Sequence, residues 1–320
     1  MGYTFINKNK TELWKKDTLE SVDFYNKWFL KFAPKAFFNA RNGLIEKVRQ
    51  VMRETDNLSC ITVEAIKSHP EMLSVLRMAT APPLALDRLA GLSHTSRNLI
   101  KRLEENKLPV RITDEDFAYQ LNSIIGIIRR TLDVEMMAWL PDGIVPDENE
   151  VLRSASIIAD RLCGTLADPV IRNEQEARQL RSISVYLESR GYTFIEPERI
   201  DDFRLMPEYT FSYHLNIPVN LPTGSNVNIP VDVAIMRGGE EKDYPLLIEC
   251  KSAGDFANTN KRRKEEAVKI SQLKYTYGEN IYFILFLCGY FDTTYLGYEA
   301  SEGIDWIWEH RMSDFDKLNL

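Results

Sequence analysis

Two short apolar segments that carry acidic residues constrain the fold of this chain more than any other feature. The runs 228–236 and 244–251 have strand composition, and a segment rich in turn residues separates them. This arrangement predicts an antiparallel β-hairpin. If the hairpin is symmetric about its turn, Asp232 lies opposite Glu249, with the two side chains about 5 Å apart on one face. Lys251 points to the same face as Glu249, because side chains alternate along a strand.

The elements predicted around the hairpin extend this pattern. We predict a helix over 173–190, a strand over 209–217, the hairpin, a helix over about 261–277 and an apolar strand over 281–287. This αβββαβ order, with a proline–aspartate motif and an acid-x-lysine motif in the hairpin, resembles the core of the PD-(D/E)xK nuclease superfamily. Val231 separates the proline from the aspartate, a minor departure because the aspartate is the ligand.

Four further segments narrow the resemblance to the XamI group of type II restriction endonucleases: 168–176, 251–266, 287–292 and 297–300. The resemblance implies Mg²⁺-dependent cleavage of both strands of a short palindromic DNA duplex, with 5′-phosphate and 3′-hydroxyl ends. It also implies a cognate DNA methyltransferase, and the namesake of the group is associated with the site GTCGAC. A palindromic substrate favours a homodimer with one active site for each strand.

The chemistry of the hairpin residues agrees with this resemblance. Mg²⁺ prefers oxygen ligands, so Asp232 and Glu249 can hold it, and the backbone carbonyl of Cys250 can add a third protein oxygen. Lys251 is expected to orient the attacking water or help to deprotonate it. The alternative interpretation is that the two acids are solvated charges on an edge strand.

A third catalytic carboxylate is predicted on the helix before the hairpin. The apolar face of the predicted helix 173–190 includes Glu176, whereas Glu174 points about 160° away. The family pattern also carries a glutamate at the position of Glu176. The alternative is an acid that complements the dipole at a helix N-terminus, with Asn173 as the cap.

Four consecutive basic residues follow Thr259 and Asn260, the predicted cap of the helix after the hairpin: Lys261, Arg262, Arg263 and Lys264. Cations at a helix start oppose the helix dipole, so local stability does not explain them. We predict that they contact DNA phosphates, and an arginine can also read a guanine edge. The alternative is a solvated face that Glu265 and Glu266 partly neutralise.

The first half of the chain is predicted to be a mainly helical domain, residues 1–168, followed by a catalytic domain, residues 169–320. We expect helix ends at the prolines of the first domain and a role for it in DNA binding or dimerisation. Residues 84–103 resemble a helix-turn-helix in which Ser93 caps the second helix, with Arg97 and Lys101 as candidate DNA contacts. The alternative is a plain helical hairpin.

The composition limits the cellular setting without excluding DNA binding. The net charge of −7 differs from that of many non-specific DNA-binding proteins, but an enzyme that binds one short site needs only a local basic groove. The four cysteines lack metal-site spacing, and no secretory or membrane-spanning segment is visible, so we expect a cytoplasmic protein. The four histidines are scattered, which argues against a zinc site.

Two other functions also fit the sequence. One is a structure-specific or repair nuclease with the same core. The other is a non-enzymatic DNA-binding regulator, in which the hairpin acids are structural and residues 84–103 recognise DNA.

Overall fold

The computed structural model describes residues 5–239 and 244–320, apart from the side chains of residues 258 and 260–263. Its helices are α1 (Thr11–Arg41), α2 (Leu44–Glu54), α3 (Val63–Ser68), α4 (Met72–Met78), α5 (Leu86–Ser93), α6 (Arg97–Glu104), α7 (Asp114–Thr131), α8 (Trp139–Asp142), α9 (Glu148–Ser189), α10 (Phe256–Tyr277) and α11 (Thr293–Ser301). Its strands are β1 (Thr193–Phe194), β2 (Thr210–Asn220), β3 (Asn226–Met236), β4 (Leu246–Ala253), β5 (Phe283–Gly289) and β6 (Asp305–Trp308). Short 3₁₀ segments cover Pro197–Arg199, Phe203–Leu205 and Glu309–Leu318. Within these ranges, no helix has both the length and the hydropathy needed to cross a bilayer.

Contacts divide the chain into two compact units. The helical unit is Ala33–Ile171, and the sheet unit joins the chain up to Phe32 with Arg172–Leu320. This division differs from the predicted domains because the first helix begins in the sheet unit. There the backbone N–H groups of Ile6 and Asn7 donate to the carboxylate of Asp305 at 2.5 and 2.9 Å.

The sheet unit contains six strands in the order β1-β2-β3-β4-β5-β6. β2, β3 and β4 are antiparallel neighbours, whereas β1 pairs with β2, β5 with β4 and β6 with β5 in parallel. The order α9, β2, β3, β4, α10, β5 is the predicted αβββαβ core, so the predicted fold class is confirmed. Every residue of β5 is buried, which is typical of a parallel strand covered on both faces.

Two apolar layers cover the sheet. One layer joins Leu247 and Leu285 of the sheet to Ile270 and Leu273 of α10. The other joins Ile248 and Phe286 to Ile183 and Leu187 of α9. Along β4, odd-numbered residues therefore face α10 and even-numbered residues face α9. This alternation places Glu249 and Lys251 on the α10 side.

The alternation of side chains inverts in the middle of β2 and β3. On β3, Val231 packs in the α10 layer but Val233 packs in the α9 layer. The neighbouring strand inverts between Tyr213 and Leu215, and the ladder pairs Tyr213 with Val233 and Leu215 with Val231. His214 lies at the inversion with φ +54°. A left-handed residue interrupts the two-residue period of a strand, so His214 and its cross-strand neighbour Asp232 lie where the strand pair changes faces.

The helical unit has one apolar core built from α2 to α9, with buried residues such as Val48, Leu76, Ile100 and Ile124. The predicted helical character of this region is confirmed, and its single bridge within the described part of the chain pairs Thr80 with Leu132.

Several local predictions about helix ends are wrong. Pro34, a predicted helix end, lies inside α1, and the predicted domain boundary before Pro169 falls inside α9. α9 runs without a break from Glu148 to Ser189, so no helix begins at Asn173. Buried residues on both sides of Pro169, such as Leu162 and Ile183, keep the helix packed, and packing outweighs the local propensity. A capping box begins α9: the backbone N–H groups of Asp147 and Glu150 each donate to the other's side chain at 2.8 Å.

Candidate active site

The hairpin of β3 and β4 brings the two predicted metal-binding acids together. Its ladder contains three pairs: Val233 with Ile248, Ala234 with Leu247, and Ile235 with Leu246. One step further in the same register lies the pair Asp232 and Glu249, as the symmetric hairpin predicts. Beyond the last ladder pair, the Cys250 N–H donates to Asp232 Oδ2 at 2.7 Å.

These acids line a cavity of about 470 Å³ to which both α9 and α10 contribute residues. All five residues predicted for catalysis or metal binding contribute to it: Glu176, Asp232, Glu249, Cys250 and Lys251. The Cys250 side chain packs in the α9 layer, so the residue offers the cavity its backbone. Burial raises the pKa of the Cys250 thiol well above its ordinary value, which keeps the thiol protonated.

Two lysines bind the buried Glu249. Its side chain is 8% exposed, and Oε1 accepts hydrogen bonds from Lys251 Nζ at 2.9 Å and Lys269 Nζ at 2.7 Å. Oε2 is buried and has no hydrogen-bond partner among the residues that the structure describes. A buried carboxylate oxygen without a partner is costly unless a cation or donor satisfies it. This oxygen therefore fits a bound metal ion.

The pKa of Asp232 also reflects the closeness of the two acids. Burial, and then the nearby charge of Glu249, raise the pKa of Asp232 to about 6. Both causes disfavour the charged form of the carboxylate. A cation between the two acids would reverse this effect, because it favours both carboxylates in their charged forms.

Lys251 is held by two carboxylates. Its Nζ lies 2.9 Å from Glu249 Oε1 and 2.9 Å from Glu266 Oε1. Burial opposes the charge of Lys251, but the two glutamates outweigh it and raise the pKa of the ammonium. Lys251 therefore keeps its positive charge at neutral pH.

The sequence interpretation missed two residues of this network, Glu266 and Lys269. Only the alternative interpretation of the basic cluster gave Glu266 a place, on a solvated face, and for Glu266 that is wrong: it is fully buried and pairs with Lys251. Lys269, three residues later on α10, also donates to the Pro230 carbonyl at 3.1 Å. Glu266 precedes the buried Ile270 by four residues, so the helical period alone could have placed it on the inward face.

A third buried acid, Glu299, lies on α11. Burial, and then the charge of Glu266, raise the pKa of Glu299 to about 8. Glu299 is therefore mainly protonated at neutral pH. A neutral Glu299 adds no negative charge beside Glu266.

Helix α9 presents Glu176 to the cavity, whereas Glu174 forms an ion pair with Arg181. The predicted difference between the two glutamates is thus present in the structure. Three residues after Glu176, the buried Gln179 donates to the backbone carbonyls of Lys251 and Phe286 at 3.3 and 3.1 Å. These bonds fix α9 against the sheet. The alternative explanation of Glu176, an acid near a helix N-terminus, is wrong because α9 has no end there.

His214 also belongs to the cavity region, although its sequence context gave no indication. Its Nε2 lies 3.7 Å from Glu176 Oε1. Ligand atoms of Glu176, His214 and Asp232 lie within 4.8 Å of one another. The prediction from the histidines considered only their spacing along the sequence, whereas the structure places His214 beside two acids.

The basic cluster lies on α10, but not at its start. The helix begins at Phe256, and the buried Thr259 donates its hydroxyl to the Phe256 carbonyl, so the predicted cap at Thr259 and Asn260 is wrong. The cluster starts beyond the first turn of α10, so the helix dipole is not a reason to expect a role in DNA binding for it. Lys264 is exposed, and the side chains of Lys261, Arg262 and Arg263 lie outside the described residues. DNA contact by the cluster stays a prediction.

The candidate DNA contacts of the helical unit lie on α6. Ser96, not Ser93, caps this helix, since Ser96 Oγ accepts from the Leu99 N–H at 3.1 Å and Ser93 is buried. Arg97 pairs with the exposed Asp87, and Lys101 lies 3.8 Å from Glu105. Both basic side chains are exposed, and their contact with DNA stays a prediction.

Comparisons with known proteins agree with the geometry of the cavity. The model of the XamI restriction endonuclease family matches residues 56–308. The type II restriction enzyme SalI of Streptomyces albus G is 46% identical over 314 residues, which cover 97% of this chain and 98% of SalI. A weak structural likeness links the chain to protein VC1899 of Vibrio cholerae, at 14% identity and a TM-score of 0.28 over 79% of this chain and 55% of VC1899. That likeness spans about half of VC1899 and carries no argument.

Proposed function

The chain belongs to the XamI restriction endonuclease family, and we propose that Asp232, Glu249 and Lys251 form the active site with which it cuts DNA. The protein is a type II restriction endonuclease, a site-specific deoxyribonuclease. The observation that carries the residue assignment is the buried oxygen Glu249 Oε2, which has no partner in the described part of the chain and lies in the same cavity as Asp232, whose pKa is raised.

Mg²⁺ is the proposed cofactor, and the donor atoms fit it. Asp232 and Glu249 would hold it through carboxylate oxygens, with the Cys250 carbonyl as a further hard ligand. When bound, the ion neutralises charge on the scissile phosphate and lowers the pKa of a water molecule. The Cys250 N–H holds the Asp232 carboxylate in place, so the acid needs little rearrangement to bind a cation.

Lys251 is the proposed positioning group for the attacking water. Its charge is secured by Glu249 and Glu266, so it acts as a hydrogen-bond donor rather than as a neutral base in the cation-free protein. Glu176 lines the same cavity from α9. Its proposed role is to accept a hydrogen bond from a water or to hold a cation at the side of Asp232.

The proposed substrate is a short palindromic duplex, and GTCGAC is the site that the sequence resemblance favours. The proposed products carry 5′-phosphate and 3′-hydroxyl ends. Cleavage of both strands of a palindrome favours a homodimer, and a cognate methyltransferase would protect the host DNA. The free cysteines of the described chain fit the reducing cytoplasm as the site of action.

The test is digestion of a long plasmid with Mg²⁺, followed by sequencing of the ends. We expect discrete fragments that all end within GTCGAC, and no fragments from Asp232→Asn. Discrete fragments that end in another sequence would refute the proposed site but not the enzyme. A smear, cleavage confined to branched DNA, or a gel shift without cleavage would refute site-specific hydrolysis.

A mass measurement in solution tests the homodimer separately. We expect analytical ultracentrifugation to give twice the chain mass of 37.0 kDa for the protein bound to its duplex, after the mass of the duplex is subtracted. One chain for each duplex would refute the dimer.

A further inference from the structure

We infer that His214 forms, with Glu176 and Asp232, a second divalent-cation position that takes a transition metal such as Mn²⁺ through an imidazole nitrogen. This inference rests on the proposed function, because Asp232 would be shared with the cation held by Glu249. Neither the hairpin motif nor the helix glutamate assigns any role to a histidine.

The first support is the convergence of three different elements. Glu176 comes from α9, His214 from β2 and Asp232 from β3. Their ligand atoms lie within 4.8 Å of one another, which suits one ion bound at a little over 2 Å from each atom. The pair closest in sequence is still separated by eighteen positions, so the tertiary fold alone creates this group.

The second support is the state of the neighbouring acid. Glu249 Oε2 is buried without a partner in the described chain and lines the same cavity as Glu176 and Asp232. Asp232 has one oxygen engaged by the Cys250 N–H at 2.7 Å. A carboxylate can bridge two cations through its two oxygens, and paired cations lie about 4 Å apart in two-metal nucleases. Asp232 is placed to connect the two positions.

The backbone of His214 contributes the geometry. With φ +54°, it occupies the left-handed region in the middle of a strand, a conformation that is uncommon for residues other than glycine. The inversion of β2 and β3 at this point turns His214 toward Glu176, with Nε2 3.7 Å from Oε1. More than half of the His214 side chain is exposed, so an ion has access to it.

The chemistry selects the ion. An imidazole nitrogen binds transition metals more readily than it binds Mg²⁺ or Ca²⁺, whereas carboxylates accept all of them. The mixed set of one nitrogen and two carboxylates should therefore bind a transition metal such as Mn²⁺ more tightly than Mg²⁺, while the position at Glu249, with oxygen ligands alone, takes Mg²⁺.

The other comparable group in the described chain is Asp17, Glu20 and His310. It differs because Arg311 already donates to both oxygens of Asp17, at 2.6 and 2.9 Å. The Arg311 guanidinium therefore already offsets the negative charge of Asp17. Glu176, in contrast, lines the cavity and lies 3.7 Å from the His214 imidazole. His310 therefore provides a matched control.

The test is pulsed electron paramagnetic resonance of Mn²⁺ bound to the full-length protein, with Mn²⁺ as the probe. The His214→Asn variant suits it, since asparagine tolerates the left-handed backbone and carries no imidazole. His214→Gly, which keeps the same φ without strain, guards against a folding effect. We expect ¹⁴N coupling to Mn²⁺ in wild type and in His310→Gln, and no coupling in either His214 variant. Mn²⁺ titration should show two ions for each wild-type chain, with the second weakened about tenfold or more by His214→Asn.

The outcomes separate this inference from the proposed function. If Mn²⁺ binds and depends on Asp232 and Glu249, but wild type shows no ¹⁴N coupling, His214 is not a ligand and the proposed active site stands. Coupling that persists in His214→Asn and disappears in His310→Gln would also overturn the inference. If Asp232→Asn and Glu249→Gln leave Mn²⁺ binding unchanged, the proposed active site itself is refuted.

Discussion

Asp232→Asn should stabilise the metal-free protein while it abolishes cleavage. The substitution removes the charge of Asp232 but keeps an oxygen that can accept the Cys250 N–H bond, which measures 2.7 Å in the wild type. Burial and the charge of Glu249 raise the pKa of Asp232 to about 6. The destabilised carboxylate therefore lowers the free energy of unfolding of the wild type, whereas the Asp232→Asn variant carries no charge at this position.

The magnitude follows from the pKa. An unfolded aspartate has a pKa of about 3.9, so the displacement to about 6 corresponds to about 3 kcal/mol, at about 1.4 kcal/mol for each pH unit. Below pH about 4 both states are protonated, and the variant has no advantage. Between pH about 4 and 6 the folded wild type retains a proton that the unfolded chain has released, so its stability falls as pH rises. Above pH about 6 the full difference is present, and about 3 kcal/mol is an upper value because Asp232 borders the cavity.

The assay is urea denaturation in EDTA at several pH values, followed by tryptophan fluorescence. Four of the five tryptophans belong to the sheet unit: Trp14, Trp28, Trp306 and Trp308, so the signal reports mainly on the unit that contains the site. The experiment is then repeated with Ca²⁺. A ligand at one hundred times its dissociation constant stabilises the folded state by about 2.7 kcal/mol, and we expect this gain in wild type but not in Asp232→Asn.

A matched control is Asp202→Asn in the same unit. The hydrogen bonds from Arg204 lower the pKa of Asp202, so this substitution should not stabilise the protein at pH 7.5. Equal or lower stability of Asp232→Asn than wild type at pH 7.5 in EDTA would refute the electrostatic argument. Wild-type cleavage by Asp232→Asn would refute the metal assignment.

Three further predictions concern the lysines and the basic cluster. Lys251→Ala should reduce cleavage by orders of magnitude yet still bind the cognate duplex in Ca²⁺, because its proposed task is to position water; gel shifts and single-turnover rates measure both. Lys269→Met should bind Ca²⁺ about tenfold more tightly by calorimetry, because it removes a cation that now lies 2.7 Å from a Glu249 oxygen. Replacing Arg262 and Arg263 with glutamine should weaken duplex binding and flatten the slope of log affinity against log salt by nearly one for each DNA phosphate that the variant no longer neutralises.

Controls and contrary outcomes sharpen these tests. Lys274→Met removes a lysine of α10 that pairs with the exposed Glu279, so it should leave Ca²⁺ affinity unchanged. Weaker Ca²⁺ binding by Lys269→Met would mean that Lys269 supports the cation instead of competing with it. Loss of duplex binding together with cleavage in Lys251→Ala would indicate a structural lysine. A wild-type salt slope in the arginine double variant would indicate that the cluster is a solvated face.

The sequence by itself determined the hairpin and the residues that it brings together. Strands alternate with a period of two, so the assumption of a symmetric hairpin was enough to predict the register of Asp232 against Glu249 and the face of Lys251. The same local rule separated Glu176 from Glu174, because a helix of known apolar face fixes the direction of each side chain. The order of elements around the hairpin was sufficient to predict the αβββαβ core.

Helix ends and the wider network were decided by the tertiary structure. Pro34 and Pro169 are local signals for a helix end, but packing on both sides of each proline outweighs them. Glu266, Lys269 and His214 lie far from the hairpin motif in sequence and reach the cavity only when α10 and β2 pack beside it. Charge alone does not tell a solvated glutamate from a buried one, because burial depends on which elements cover the helix face, and that is a property of the whole fold.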